Sequence, residues 1–250
     1  MQRYFVNHAP DDQGRFSILG EDVHHIQRVM RMKQGETLYA VFPDETSVIA
    51  IIEELTDDAV SCAIKSVEEK STELPLRITI AHGLPKSDKL ELVIQKATEL
   101  GAHSFMPFIA ERSIVKWDTK KGDKKVDRWN KIAKEAAEQS HRHRQPNVFT
   151  PQSFKELLEK VKTFDFVVVA YEEEAKIGEK SLFAKTLNTA MDHQSMLIII
   201  GPEGGLTADE VTRLEEKGAV KCAFGPRILR TETAPLYALA AISYHFELMR

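Results

Sequence analysis

The residues best suited to chemistry lie in two short stretches, "GPEGGLTADE" (Gly201–Glu210) and "FGPRILRTETAP" (Phe224–Pro235). In the first, Gly201, Gly204 and Gly205 permit positive φ and let a ligand approach the backbone closely. Thr207 and Glu210 have the T-x-x-E spacing of a capping box, which predicts a helix from about Ala208 whose first amides are already satisfied. A phosphate would need those amides free. The stretch also lacks the Walker lysine and the G-x-G-x-x-G spacing. Glu203 would repel a pyrophosphate; it suits a ligand with hydroxyls, an amine or a positive centre. In the second stretch Gly225 and Pro226 close a strand, and Pro235 fits a first helical turn. Between them stand Arg227, Arg230, Thr231, Glu232 and Thr233, with charges of both signs. So long a loop before a helix argues that it lines a pocket. Either stretch alone also reads as a plain turn; the case for a site rests on the two meeting.

The surrounding elements would make them meet. From Leu76 onward, strands ("LRITIAHGL", "HSFMPFIA", "FDFVVVAY", "MLIII") alternate with helices ("SDKLELVIQKATELG", "VDRWNKIAKEAAEQSHR", "SLFAKTL"). Ser87 is the expected N-cap and Gly101 the expected C-cap of the first helix, with Leu90, Val93, Ile94, Ala97 and Leu100 on one face. "SFKE" (Ser153–Glu156) is a second capping box. The last helix, "LYALAAISYHF", is apolar nearly all round and is expected to be deeply buried. This order implies an α/β fold, a mostly parallel sheet with helices on both faces. In such a sheet the strand-to-helix loops emerge at one edge, where ligands bind.

The chain before residue 72 has a different texture. Short runs rich in β-branched and aromatic residues ("YFV", "TLYAVF", "SVIAIIEEL", "AVSCAIKSV") are broken by turn compositions. One helical stretch, "EDVHHIQRVMR", puts Val23, Ile26, Val29 and Met30 on one side. A small β-barrel over 1–72 is expected, then a linker at Glu68–Pro75 and a second domain over 73–250.

Bulk composition narrows the function classes. The 250 residues are 42% hydrophobic and 29% charged, ordinary for a globular chain, and the net charge of −4 argues against a wholesale nucleic-acid coat. Cys62 and Cys222 are far apart and form no C-x-x-C pattern, which argues against a disulfide framework or structural zinc and for a reducing compartment. The run "HRHR" lacks the companions a metal site needs. The N-terminus resembles no signal peptide, and no apolar run reaches membrane-spanning length, so a cytoplasmic protein is expected.

Beyond these readings, "GPEGGLTADEV" followed by "FGPRILRTETAPLYALAAI" resembles the signature of the SPOUT, or trefoil-knot, RNA methyltransferases. It is most similar to the RsmE branch, which methylates N3 of a uridine in small-subunit (16S) ribosomal RNA. "RYFV", "HHIQRVMRMKQGE", "LPKSDKLELVIQKATELGAHSFMPFIAERS" and "RWNKIAKEAAEQSHRHRQP" are similar to that branch as well, in order along nearly the whole chain. The resemblance implies a PUA-like RNA-binding barrel, a knotted second domain whose last helix threads a loop, and a homodimer in which the partner completes each site. It implies S-adenosylmethionine as cofactor, held by Ala170, Tyr171 and Glu172; by Ile200, Gly201, Glu203, Gly204 and Gly205; and by Phe224, Gly225, Pro226, Arg227, Ile228 and Leu229. A sulfonium donor carrying hydroxyls and an amine, with no phosphate, agrees with Glu203 and the self-capped helix. Glu203 either touches that donor or braces its own loop through backbone amides.

Methylation of N3 requires a single-stranded or flipped uridine and loss of the N3 proton. Arg230 is the candidate to stabilise negative charge on the uracil oxygens, and Glu232 the candidate proton acceptor. Glu232 reads equally as a loop brace or a partner for Arg230, with water taking the proton. Candidate contacts to ribosomal RNA, naked or in the assembled subunit, are Arg3, Arg28, Arg31 and Lys33, Arg112 and Lys116 at the root of a lysine-rich flap, and Arg142 and Arg144 in "SHRHRQ". A solvated helix face, or cations at a helix C-terminus, would account for some of them. Two other functions compete: methylation of a ribose 2'-hydroxyl or another base atom, and non-catalytic RNA binding in ribosome assembly.

Overall fold

The computed structural model describes residues 2–249 apart from 116, 118 and 177–180. Contacts divide the chain into two compact units, Met1–Glu73 with Ala137–Gln145, and Leu74–Ala136 with Pro146–Arg250. The stretch 137–145, which lies within 73–250 in sequence, packs with the first unit.

In the first unit, β1 (Arg3–Phe5), β2 (Arg15–Leu19), β3 (Thr37–Val41), β4 (Ser47–Leu55) and β5 (Ala59–Val67) form a sheet in the order β1-β3-β4-β5-β2. β1 and β3 are parallel and the other pairs antiparallel. The pleat turns alternate residues inward, and Leu38, Ala40, Val48, Ala50, Ile52, Val60 and Cys62 are all buried. The helical stretch departs from expectation. α1 (Glu21–His24) runs into a π turn, His25–Val29. The wider turn rotates later side chains off an α-helical stripe. Val23 and Ile26 are therefore buried, whereas Val29 and Met30 are exposed.

Charges hold the returning stretch inside this unit. Arg3, only 1% exposed, donates to Glu68 at 2.7 Å, to Ser47 at 3.1 Å and to the Arg142 carbonyl at 3.3 Å. Arg142, 2% exposed, donates from Nε to Glu73 at 3.1 Å, and the His143 amide donates to the same carboxylate at 2.9 Å. His143 Nε2 stands 3.0 Å from Glu68. Buried charges persist only when paired in this way. Arg3 and Arg142 thus neutralise carboxylates in the interior and do not present the free surface charge that a phosphate contact requires.

In the second unit, β6 (Arg77–Gly83), β7 (Ser104–Ile109), β8 (Asn147–Val148), β9 (Gln152–Ser153), β10 (Phe166–Ala170), β11 (Ser195–Ile200) and β12 (Val220–Cys222) make a parallel sheet. Its order is β12-β10-β11-β6-β7-β8, with β9 also paired to β7. The helices are α2 (Lys89–Glu99), α3 (Thr119–Gln139), α4 (Phe154–Val161), α5 (Glu172–Lys176), α6 (Leu182–Thr189), α7 (Ala208–Glu215) and α8 (Ala234–Ser243). Along β11, Met196, Ile198 and Ile200 join one core and Leu197 and Ile199 another. Apolar packing on both faces explains why this strand is an unbroken apolar run.

Both capping boxes form, Ser153 with Glu156 and Thr207 with Glu210. α2 starts later than expected: Ser87 sits at φ +54, and Asp88 is the N-cap without a side-chain cap bond. Gly101, at φ +95, lies just past the helix end, where a Cβ would come 2.6 Å from Leu74 Cγ. α8 is buried on one side only. Ala234, Ala238, Leu239 and Ile242 are covered, while Tyr237, and Tyr244 and Leu248 in the π turn that follows, are exposed. Among the described residues no helix is long and apolar enough to cross a membrane, and no group of His, Cys, Asp and Glu suits a metal ion. Both cysteines are free and buried.

Candidate active site

Three segments converge beyond the carboxyl ends of β10, β11 and β12. Glycines make the closest approach. A Cβ on Gly83, at the end of β6, would lie 2.5 Å from Pro202 Cδ, and one on Gly201 would lie 2.8 Å from the Gly205 carbonyl carbon. No larger residue fits there without moving backbone. Thr231 laces the third segment to the others. Its hydroxyl donates to the Gly201 carbonyl at 2.5 Å, and its own carbonyl lies 3.0 Å from His82 Nε2. His82 Nδ1 lies 2.7 Å from the Gly83 carbonyl. Complete burial holds this imidazole below its ordinary value, outweighing the two carbonyls and the nearby Glu203 and Glu232, which favour the charged ring.

Between the segments lies a cavity of about 560 Å³. Ala170, Tyr171 and Glu172 line it from the first segment, Ile200, Gly201, Glu203 and Gly205 from the second. Phe224, Arg227, Ile228, Leu229, Arg230 and Glu232 line it from the third. Gly204, Gly225 and Pro226 are outside the lining. The Gly204 carbonyl accepts from Arg112 Nη1 at 2.9 Å, and Gly225 takes φ +78 beside the Tyr237 hydroxyl. Two of the amides at the start of α7, those of Thr207 and Glu210, are occupied. Glu210 accepts from the Thr207 and Glu111 amides at 2.9 Å each, and its own amide donates to the Thr207 hydroxyl.

Glu203 braces its own loop. Glu203 accepts from the Lys86 amide at 3.1 and 3.3 Å and pairs with Lys89 Nζ at 3.1 Å. Partial burial pushes its carboxyl up, but backbone amides and Lys89 overcome this and hold it below the usual carboxylate value. Lys89 also reaches Glu232 Oε2 at 3.4 Å. The partner of Glu232 is therefore Lys89, not Arg230. Hydrogen bonding to Glu203, against some desolvation and with help from Glu232, raises the Lys89 ammonium above its ordinary value. Sequence reasoning missed Lys89 because its two partners lie far along the chain and no local spacing marks it. Arg227 and Arg230 are exposed at the cavity, and their guanidinium groups make no hydrogen bond or ion pair among the described residues.

The remaining basic residues are scattered in role. Arg28, Arg31 and Lys33 are exposed on the first unit. Arg144 pairs with Glu45. Arg112 lines the cavity while bound to Gly204. Lys116 lies outside the described residues.

Residues 72–243 match the family model of an RNA methyltransferase domain, and residues 18–65 that of an RNA methyltransferase PUA domain. A Bacillus subtilis (strain 168) protein, ribosomal RNA small subunit methyltransferase E, is 51% identical over 253 residues, covering 100% of this chain and 99% of that one. The crystal structure of a hypothetical protein matches with a TM-score of 0.92 at 49% identity, covering 100% of both chains. A ribosomal RNA small subunit methyltransferase E from Neisseria gonorrhoeae, bound to S-adenosyl methionine, matches with a TM-score of 0.82 at 27% identity, covering 97% of each chain.

Proposed function

The chain belongs to the RNA methyltransferase family, among the ribosomal RNA small subunit methyltransferases E, and on that footing we propose that it methylates N3 of one uridine in 16S ribosomal RNA using S-adenosylmethionine. The observation that carries the reading is the cavity itself. It is formed where glycine-rich backbone segments press together, it is lined by carboxylates as well as cations, and the adjacent helix already spends its Thr207 and Glu210 amides on its own cap. Those features fit a phosphate-free donor with a positive centre and hydroxyls.

The residues that would hold the donor are Ala170, Tyr171 and Glu172, then Ile200, Gly201, Glu203 and Gly205, and Phe224, Arg227, Ile228 and Leu229. When bound, the donor supplies an electrophilic methyl group on a positively charged sulfur. The chain's own groups align the acceptor and manage its charge and proton. The Arg230 guanidinium, exposed and without a partner among the described residues, stabilises negative charge on the uracil oxygens. Glu232, paired with Lys89, takes the N3 proton. Arg28, Arg31 and Lys33 supply phosphate contacts from the PUA domain.

The family reading extends to a cytoplasmic homodimer. Its support is the exposed apolar series Tyr237, Tyr244, Leu248 and Met249, which a second copy would cover. Sedimentation of the purified chain tests this, and a monomer at micromolar concentration would exclude it. The function is tested by mass spectrometry of ribosomal RNA from cells lacking the gene. Loss of methylation at a single uridine N3 is expected; an unchanged modification map would overturn the assignment, and loss at a ribose hydroxyl would move it to another reaction.

A further inference from the structure

Lys89 stands at the first position of α2, where the helix dipole disfavours a cation. Nothing in helix formation calls for a lysine there. Its ammonium instead lies between two carboxylates, 3.1 Å from Glu203 and 3.4 Å from Glu232, and lines the cavity beside both.

The two carboxylates depend on it unequally. Glu203 keeps the Lys86 amide as a second donor. Glu232 Oε2 is buried without a hydrogen-bond partner among the described residues, and the ion pair with Lys89 is the one its carboxylate makes there. The other cations of the cavity, Arg112, Arg227 and Arg230, are not within ion-pair distance of it. The link is also not needed to close the cavity wall, because Thr231 already fastens that segment to Gly201 and His82. What Lys89 adds is specific to the Glu232 carboxylate: a counter-charge and a direction.

We propose that Lys89 is a positioning residue of the transfer reaction, holding the Glu232 carboxylate at the cavity in the orientation from which it takes the proton of the acceptor base. The proposal rests on the reading of Glu232 as proton acceptor. A lysine suits the task because its compact ammonium carries three donors on a flexible stem and can serve two carboxylates at once.

The test compares Lys89→Met, Lys89→Arg, Glu232→Gln and the Lys89→Met/Glu232→Gln double variant in the full chain. Turnover is measured on 16S ribosomal RNA, and S-adenosylmethionine affinity by calorimetry. Lys89→Met is expected to lower kcat by about tenfold to a hundredfold while the dissociation constant stays within about threefold. Lys89→Arg should restore most of the turnover. In the Glu232→Gln background Lys89→Met should cost less than about twofold further, because a residue acting through Glu232 has nothing left to position. Undiminished kcat in Lys89→Met would overturn the proposal. So would affinity falling in step with kcat, or effects of the two single changes that multiply. If Lys89→Met fails to fold, Lys89→Gln repeats the comparison with a polar, uncharged side chain. Failure of the functional reading is separately visible, since the unaltered chain would then leave uridine N3 unmethylated.

Discussion

A charged side chain near a cavity can serve a ligand or the chain that carries it, and its partners decide which. Glu203 has a backbone amide and an ammonium and serves the chain; the Arg230 guanidinium has neither hydrogen bond nor ion pair among the described residues and is available to a substrate. Arg230→Ala should therefore lower kcat by about a hundredfold or more with little change in donor affinity. Equal losses in both would show that the residue only shapes its loop. His82 makes a different prediction. Its folded-state value lies below the ordinary 6.5, so unfolding takes up a proton once the pH drops below 6.5. Stability is complete above that value and falls as the solution is acidified. His82→Gln, which keeps a donor for one carbonyl, should flatten the decline of the thermal midpoint between about pH 6.5 and 5. Burial also lowers His141 and His143, so some slope will remain. At this scale the sequence was a partial guide. Glu203 and Arg230 could be picked out from their neighbours. The pairing of Arg3 with Glu68, Arg142 with Glu73 and Lys89 with Glu232 could not, because each depends on residues brought together only by folding.

Elements were readable where their cause is local. The capping boxes at Ser153 and Thr207 need only residues three apart, and both form as expected. Removing one has a calculable cost: Thr207→Ala should destabilise the chain by about 1 kcal/mol in denaturant titration. It also frees the Glu210 amide at the start of α7. An unchanged midpoint would mean that Glu210, anchored by the Glu111 amide, holds the helix start alone. The misreadings have equally physical reasons. The π turn after α1 widens the helix and moves Val29 and Met30 into solvent, which a 3.6-residue period cannot anticipate. β8 and β9 have two residues each, too short to display alternation. α8 is apolar on sides that its own chain leaves uncovered, and periodicity alone cannot tell a core from a face awaiting another molecule.

For the whole molecule, the alternation of strands and helices implied the parallel sheet, because crossover helices covering both faces leave few other solutions. The charge of the whole chain, −4, says little about RNA; the exposed cluster Arg28, Arg31 and Lys33 says more. Arg28→Glu with Arg31→Glu should weaken RNA binding and reduce the slope of log affinity against log salt by about two. A slope equal to that of the unaltered chain would show the cluster to be plain surface. The return of Ala137–Gln145 to the first unit bears on how the chain is made. Domains tend to fold in the order in which they leave the ribosome. Here the amino-terminal body must wait, since Glu73 and Glu68 meet Arg142 and His143 only after the Leu74–Ala136 part of the second unit has been synthesised. Nascent chains arrested before Arg142 should accordingly be protease-sensitive across their first seventy-three residues, and become resistant once that arginine clears the exit tunnel.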